Sequence, residues 1–284
     1  MSSFLSVHHT ERQSIDIFQT LQLDTTIRKG SEFLPFTTES GNYFVKACEN
    51  PAGQVADVCR REVLGTLVLR HLGTNAPKSW LVSSSEGLDI RAAFDKWKVT
   101  ASSHRIYSEF VIMENLGGCN LETVKYQGQL SQTFHGNQRE IAAMLVATYW
   151  LGDEDRGLTD AIFNGSRIFF IDFGLCGPGS PPPHRGTHPL YTHFEPRDIS
   201  LRCYPGKPGI VQNVCQMCPS IMDEIGKSKI IDRIEQLTNE DVGQLVSYCQ
   251  LKCEIAQILI RRRSTLRSDV VAWIANVKRE TGLT

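Results

Sequence analysis

The sequence predicts an α+β fold with two lobes, a small lobe built mainly of strands and a larger, mainly helical lobe. Short runs with the β-branched and aromatic content of strands are concentrated before residue 116. Beyond it, residues 137–152 and most of residues 219–279 repeat apolar side chains at helical spacing. The chain has 284 residues with 41% hydrophobic content, which is enough to bury a substantial core. We therefore place the small lobe at residues 1–116 and the larger lobe at residues 117–284.

The small lobe divides into an arm, several strands and one helix. Residues 1–14 are polar and irregular in pattern, so we expect a loose arm. Residues 54–72 carry an apolar face at helical spacing, and Gly73 is a typical cap for the end of a helix. The arginines of this helix are expected to face water: Arg60, Arg61 and Arg70. Short strands are predicted at residues 25–29, 32–37, 42–48 and 108–115, with a turn into a further strand at 76–82.

Charge and cysteine content restrict the partners and the cell compartment. A net charge of -1 and a pI near 6.7 disfavour a general nucleic-acid binder. The sequence has no apolar run of ~18 residues, and residues 1–14 lack the apolar core of a signal peptide. We therefore expect no integral membrane association and a cytoplasmic location. Nine cysteines, without the dense spacing of a disulfide scaffold, are interpreted as reduced thiols.

Residues 151–177, LGDEDRGLTDAIFNGSRIFFIDFGLCG, combine a predicted hairpin with two acidic clusters. Residues 168–171 have the pattern of a buried strand, and residues 161–163 are its expected partner. Asn-Gly is a preferred two-residue hairpin turn, which places the turn at Asn164 and Gly165. The acidic clusters then lie together at the open end of the hairpin.

Three carboxylates meet at that open end. Asp155 and Asp160 precede the first strand, and Asp172 follows the second. Carboxylates repel one another, and a common reason for their convergence is a divalent cation with a phosphorylated ligand. Mg²⁺ takes one or two carboxylates and completes its shell with phosphate oxygens and water. The alternative is an acidic turn that is only solvated. On these residues alone both interpretations stay open.

The order D-R-G-x-x-D, hairpin, I-D-F-G resembles the catalytic and metal-binding segment of the atypical kinases. Phosphatidylinositol 3- and 4-kinases, actin-fragmin kinase and the HipA-type protein kinases share this segment, usually as D-R-x-x-x-N followed by a strand and I-D-F-G or I-D-N-G. The resemblance implies a protein-kinase-like fold, with Asp155 as the catalytic Asp and Arg156 as its charge partner. It also implies that Asp160 and Asp172 bind Mg²⁺ or Mn²⁺. Position 160 departs from the pattern, because it is Asp where Asn is usual.

Lys46 lies in the middle of the apolar strand predicted at residues 42–48. An ammonium group is costly to bury unless it meets an anion. In kinases that anion is the nucleotide phosphate, and a Glu from the following helix steadies the lysine. The resemblance implies that Lys46 contacts ATP and that Glu62 is its partner. The alternative is a strand lysine whose ammonium reaches water.

Two further nucleotide contacts are predicted from their position in the chain. Gly30 and Ser31 would place backbone N–H groups and a hydroxyl on the phosphates, and residues 37–41 are nearly as plausible for that loop. The last strand of the small lobe runs into a turn that resembles the hinge between kinase lobes. Its backbone groups would pair with the adenine of ATP: Met113, Glu114, Asn115 and Leu116.

These features predict an ATP- and Mg²⁺-dependent phosphotransferase. The expected acceptor is a Ser or Thr hydroxyl of a protein substrate, as in the HipA-type group, because the chain is small and lacks membrane-binding features. A phosphoinositide or small-molecule kinase is one alternative. Another is a pseudokinase that binds nucleotide as an interaction module, which Asp160 and the absence of a GxGxxG loop both favour. A third is a protein with no nucleotide site, in which the acidic turn is structural.

Overall fold

The computed structural model describes residues 1–13, 33–38, 41–49, 57–82, 90, 107–153, 156–174, 176, 202–204 and 207–283. The strands are β1 (Phe33–Thr38), β2 (Gly41–Glu49), β3 (Ser79–Leu81), β4 (Tyr107–Glu114), β5 (Cys119–Asn120), β6 (Ala161–Phe163), β7 (Ile168–Phe170), β8 (Arg202–Tyr204) and β9 (Lys207–Pro208). The helices are α1 (Ser2–Gln13), α2 (Val58–His71), α3 (Leu121–Tyr126), α4 (Leu130–Gly136), α5 (Gln138–Leu151), α6 (Ile210–Met217), α7 (Ser220–Gly226), α8 (Lys229–Gln236), α9 (Asn239–Tyr248) and α10 (Cys253–Thr281). A 3₁₀ helix at Leu158–Asp160 precedes β6. The α+β class predicted from the sequence is confirmed.

A four-stranded antiparallel sheet forms the amino-terminal half, with strand order β1-β2-β4-β3. Lys46 of β2 lies opposite Phe33 of β1 and Val111 of β4, so it occupies an interior strand. Helix α2 packs against this sheet through buried side chains such as Leu64 and Leu67. The predicted helix and the strands at 32–37, 42–48 and 108–115 are therefore confirmed within one or two residues at most ends. The strand predicted at 25–29 lies outside the described residues.

The hairpin predicted around the acidic clusters is present, as β6 and β7 in a three-stranded sheet with β5. Its turn differs from the prediction by one residue. The backbone N–H of Asn164 donates to the carbonyl of Arg167, so the two residues at the centre of the turn are Gly165 and Ser166. Gly165 has φ of +95°, which glycine adopts without strain. The Asn164 side chain accepts hydrogen bonds from the N–H groups of Ser166 and Arg167. These bonds favour a turn that begins at Asn164, one residue later than predicted.

Helix α5 is the centre of the helical half. Its residues 144–151 are all buried, and the indole N–H of Trp150 donates to the carbonyl of Leu259 in α10 at 3.0 Å. Most of the buried apolar side chains form one contiguous cluster that continues from α2 and β4 into α5 and α10. The two halves thus share a core. The division into lobes at residue 116 stays a prediction.

Within the loose arm expected at residues 1–14, the described residues 1–13 are instead largely helical. Residues 2–13 are helix α1, and its side chains Phe4 and Leu5 pack against the core, together with Met1. His8 is only 1% exposed. Met1, Phe4, Leu5 and His8 follow the i, i+3, i+4, i+7 spacing of a helix face, but a histidine in that stripe lowers its apparent hydrophobicity. The pattern was therefore too polar to predict a packed helix.

Two further findings concern cysteines and membranes. Cys59, buried in α2, is disulfide-bonded, so the expectation that all cysteines are reduced is wrong for this residue. Other described cysteines, such as Cys176 and Cys249, are free thiols. Among the described helices, none combines the length and apolar character needed to cross a bilayer.

Candidate functional site

The site is built around a buried ammonium group. Lys46 is 8% exposed, and its Nζ donates to Glu62 Oε2 at 2.9 Å and to Asp172 Oδ1 at 2.6 Å. Burial lowers the pKa of Lys46, but the charges of Glu62 and Asp172 outweigh this effect and raise the pKa above its usual value. The predicted pairing of Lys46 with Glu62 is confirmed as a contact. The alternative, in which Lys46 reaches water, is wrong.

Glu62 connects the three parts of this cluster. It comes from α2, is 0% exposed, and accepts the Lys46 ammonium through one carboxylate oxygen. Its other oxygen accepts the backbone N–H of Asp172 at 3.0 Å. Helix α2 thereby fixes both the lysine side chain and the backbone that follows β7.

Asp172 is the open member of the cluster. Its side chain is 55% exposed, although Lys46 lies within hydrogen-bond distance. The Lys46 charge lowers the pKa of this carboxyl, so it is ionised at neutral pH. Asp172 also has φ of +63°, a left-handed conformation that costs an L-residue roughly 1–2 kcal/mol. The bond from its N–H to Glu62 holds this conformation, which turns the carboxylate toward Lys46.

Phe173 anchors the segment after Asp172. The ring is fully buried against α2 at Gly65, where an added Cβ would overlap it. The next residue, Gly174, approaches Val58 in the same way. Glycine at position 65 leaves room for the Phe173 ring, and glycine at position 174 lets the chain pass close to Val58 of α2.

The Arg156 guanidinium is buried and is held by groups inside the protein. It is 4% exposed and donates to the carbonyl oxygens of Asp160, at 2.9 Å, and of Ile171. Its guanidinium lies 4.4 Å from the ring centroid of Phe173, which is a cation–π contact. Arg156 therefore ties the 3₁₀ helix to the segment that ends β7.

The charge partner of Arg156 in the structure is Asp153, which was not among the predicted site residues. The two form a buried ion pair, with Asp153 1% exposed. Burial raises the pKa of Asp153 to about 6, and the nearby Arg156 charge opposes that rise. Asp153 and Arg156 are three residues apart, a spacing that permits an ion pair. This spacing alone did not distinguish Asp153 from the neighbouring acidic residues as the partner of Arg156. Asp155, the predicted catalytic residue, lies outside the described residues.

Asp160 lies at the mouth of the hairpin, as predicted. Its carbonyl accepts the N–H of Ile171 at 2.9 Å, so the backbones leading to Asp160 and Asp172 are adjacent. Its carboxylate accepts the N–H of Gly157 at 2.7 Å and the hydroxyl of Thr159 at 3.0 Å. Asp160 thus also caps the 3₁₀ helix. Its partly buried side chain and the open Asp172 carboxylate carry oxygen atoms of the kind that Mg²⁺ takes as ligands.

The predicted hinge residues lie at the end of β4. The N–H of Glu114 donates to the carbonyl of Lys78 at 2.8 Å, and that of Asn115 to the carbonyl of Asn42 at 2.9 Å. Within the described residues, the backbone of Leu116 makes no hydrogen bond. Leu116 is therefore a hinge residue whose backbone groups meet no partner in the described part of the chain.

Gly30 and Ser31, the first choice for a phosphate-binding loop, lie outside the described residues. The second choice, residues 37–41, is described only at the ends of β1 and β2. The choice between these loops stays open.

Arg61 does not face water as expected. It is 3% exposed, forms an ion pair with Asp57 at 2.7 Å, and donates to the carbonyl of Cys176 at 2.7 Å. Arg60 and Arg70 are partly buried, and Arg60 pairs with Glu109. These contacts could not be predicted from local sequence patterns, because the partners of Arg60 and Arg61 include residues far along the chain.

Sequence comparison with known proteins supports no family assignment for this chain. No family model matches the chain, and no curated protein matches it. Among solved structures, the chain is similar to the crystal structure of a Helicobacter pylori proinflammatory kinase, CtkA. The sequence identity is 11%, the match covers 90% of this chain and 96% of that chain, and the TM-score is 0.47. The likeness is to a kinase, but at this TM-score it assigns no activity to this chain.

Proposed function

We propose that the protein is an ATP- and Mg²⁺-dependent phosphotransferase of the atypical kinase type. The observation that supports this most strongly is the cluster of Lys46, Glu62 and Asp172, in which three distant parts of the chain meet. Buried ion pairs are inefficient stabilisers, because the cost of desolvation offsets much of the attraction. A cluster that is buried on the Glu62 side and open at Asp172 fits ligand binding better than stabilisation.

In this proposal the nucleotide lies between the four-stranded sheet and the acidic hairpin, which is the β6–β7 hairpin with Asp160 and Asp172 at its open end. Lys46 holds the α- and β-phosphates, and Glu62 keeps its ammonium in place. The free backbone groups of Leu116 pair with adenine. Phosphate oxygens would replace Asp172 as a partner of Lys46, which releases the Asp172 carboxylate.

Asp172 and Asp160 are the proposed metal-binding residues. When bound, Mg²⁺ supplies positive charge that neutralises the phosphates. Capping of the 3₁₀ helix does not exclude Asp160 from this role, since a carboxylate has about four acceptor positions. Arg156 contributes by holding the backbones of both ligands at a fixed separation.

Asp155 is proposed to orient the acceptor hydroxyl and accept its proton. The proposed acceptor is a Ser or Thr of a protein, with a phosphoinositide or small alcohol as the enzyme alternative. A near-neutral net charge of -1 gives no general attraction to anionic lipid surfaces.

A pseudokinase is the second candidate, and one observation favours it. Both carboxylate oxygens of Asp160 are bonded within its own turn, in a position where the resembling kinases usually carry Asn. In that case nucleotide would bind at Lys46 without transfer to any acceptor.

The test is incubation of the purified protein with γ-labelled ATP and Mg²⁺ or Mn²⁺, with and without added protein acceptors and phosphoinositide vesicles. We expect label transfer that Asp172→Asn abolishes, since the amide loses the metal-binding charge. Asp232→Asn, at an exposed site on α8, is the matched control and should retain full transfer. Full transfer by Asp172→Asn would contradict the assignment. Binding of ATP without transfer would favour the pseudokinase, and labelled lipid would identify the alternative acceptor.

A further inference from the structure

Helix α1 contains a buried histidine that joins two distant elements. His8 Nε2 lies 3.0 Å from the carbonyl oxygen of Ser79 in β3, and Nδ1 lies 2.9 Å from the Tyr248 hydroxyl in α9. A carbonyl oxygen can only accept, so Nε2 carries the proton and Nδ1 accepts from Tyr248. The His8 ring also stacks on Trp80, whose indole N–H donates to the His8 carbonyl at 2.9 Å. Every polar atom of the His8 ring is therefore satisfied by an element outside α1.

The rest of α1 attaches to the same elements and to α2. The Met1 amino group lies 3.8 Å from Asp241 in α9. The Glu11 carboxylate accepts Lys78 Nζ, just before β3, at 2.7 Å, and lies 3.5 Å from Arg70 in the last turn of α2. These contacts span the length of α1. They make it a brace across β3, α9 and the end of α2.

A short series of contacts continues from His8 to the site. The hydroxyls of Ser79 and Thr66 are hydrogen-bonded to each other, and both residues are buried. Thr66 lies one turn after Glu62 in α2, and its hydroxyl lies 3.2 Å from the Glu62 carbonyl oxygen and 3.0 Å from that of Val63. The Glu62 carboxylate then holds Lys46. His8 is thus connected to Lys46 through Ser79, Thr66 and Glu62, each in direct contact with the next.

We propose that α1 fixes the position of α2, and that His8 is a positioning residue for the Lys46–Glu62 pair. The role assigned to that pair rests on the proposed function, whereas the bracing of α2 does not. His8 touches no proposed substrate atom. It bonds the Ser79 carbonyl oxygen, and the Ser79 hydroxyl is bonded to Thr66, one turn after Glu62 in α2.

The first experiment measures amide hydrogen exchange of residues 58–71 in the 284-residue chain without nucleotide. We expect His8→Ala to speed exchange about tenfold, the effect of losing a buried hydrogen-bonded partner. His9→Ala is the matched control, because His9 is the next residue and is exposed, so exchange should be unchanged. Unchanged exchange in His8→Ala would overturn the proposal.

A milder variant guards against unfolding of His8→Ala. Tyr248→Phe removes only the hydroxyl that bonds His8 and leaves the ring in place. We expect the same regional change at smaller amplitude, about threefold. A change confined to α9, with no effect on α2, would contradict a brace.

A double-mutant cycle separates positioning from general stability. We expect His8→Ala to weaken Mg²⁺-ATP binding about tenfold in the wild-type background and to have little effect in the Glu62→Gln background. Equal weakening in both backgrounds would show that His8 does not act through Glu62, and would overturn its positioning role. If the wild-type protein binds no Mg²⁺-ATP, the proposed function fails, and hydrogen exchange alone decides whether α1 braces α2.

Discussion

At the residue scale, Lys46 shows why a buried charge indicates function. Its ammonium loses contact with water in the interior of the sheet, and two carboxylates from other parts of the chain replace that contact. Asp172 holds a left-handed backbone conformation and leaves its carboxylate half in solvent. Such strain and burial persist only where the surroundings enforce them, and they are concentrated at functional sites.

Replacing Lys46 by Met should remove ATP binding and lower phosphotransfer about 100-fold or more, because no cation then meets the phosphates. The variant should also lose about 3 kcal/mol of stability, since Glu62 stays buried without its ion-pair partner. Calorimetric titration with Mg²⁺-ATP and urea unfolding would measure these effects. Lys229→Met, at an exposed residue of α8, is the control and should change neither. Retained ATP affinity in Lys46→Met would remove Lys46 from the site.

The buried pair of Asp153 and Arg156 leads to a second prediction at this scale. Asp153→Asn should cost about 3 kcal/mol of unfolding free energy, because the Arg156 charge stays buried without compensation. Asp223→Asn breaks an exposed pair with Lys278 and should cost less than about 1 kcal/mol. Urea unfolding of both variants checks the comparison. Equal losses would mean that Asp153 contributes no more than a surface charge.

At the element scale, α2 is the piece that organises the site. One face supplies Glu62, and the same face receives Phe173 at Gly65. The position of Asp172 therefore depends directly on that of α2, because the Asp172 N–H donates to the Glu62 carboxylate. A shift of α2 would change the lysine and the acidic hairpin together.

Gly65→Ala tests this arrangement. The added Cβ would overlap the Phe173 ring, so we expect a loss of about 1–3 kcal/mol from overpacking and a strong fall in transfer as Asp172 moves. Gly243→Ala in α9 is the matched control, because nothing lies near its Cβ position. That change should stabilise the protein by up to about 1 kcal/mol through helix propensity. Thermal unfolding would show opposite signs, and stabilisation by Gly65→Ala would contradict the contact with Phe173.

At the scale of the whole molecule, α1 and the shared core connect the two halves. The apolar cluster passes from α2 into α5, and α1 connects α9 with β3. The surroundings of His8 include the charged groups of Arg70, Glu11 and Lys78, besides Tyr248. Burial is the main reason that the pKa of His8 is lowered to about 4.

This pKa predicts a pH dependence of stability. Between about pH 4 and pH 6.5 the unfolded chain binds a proton at His8 that the folded chain does not, so stability rises with pH there. Above pH 6.5 His8 is neutral in both states and the free energy of unfolding no longer depends on it. As the pH falls from 6.5 toward 4, protonation of His8 in the unfolded chain lowers the free energy of unfolding by at most about 3 kcal/mol. Urea unfolding at several pH values should show a weaker dependence in His8→Ala than in the wild type or His9→Ala. Identical slopes in all three proteins would contradict a buried neutral His8.

Local patterns accounted for much of the fold. The strand around Lys46, helix α2, the β6–β7 hairpin and α5 were predicted because periodicity and turn residues act over a few neighbours. The pairing of Lys46 with Glu62 was also predicted, although from the resemblance to kinases and not from spacing. Local patterns failed at α1, where one histidine masked an apolar face.

The sequence by itself determined the local elements and the candidate residues Lys46, Glu62, Asp160 and Asp172. Apart from the pairing of Lys46 with Glu62, only the tertiary structure decided which charges meet. It paired Arg156 with Asp153, buried Arg61 against Cys176, and placed His8 between Ser79 and Tyr248. The physical reason is that periodicity is a short-range property, whereas the partner of a buried charge depends on which distant segments pack together.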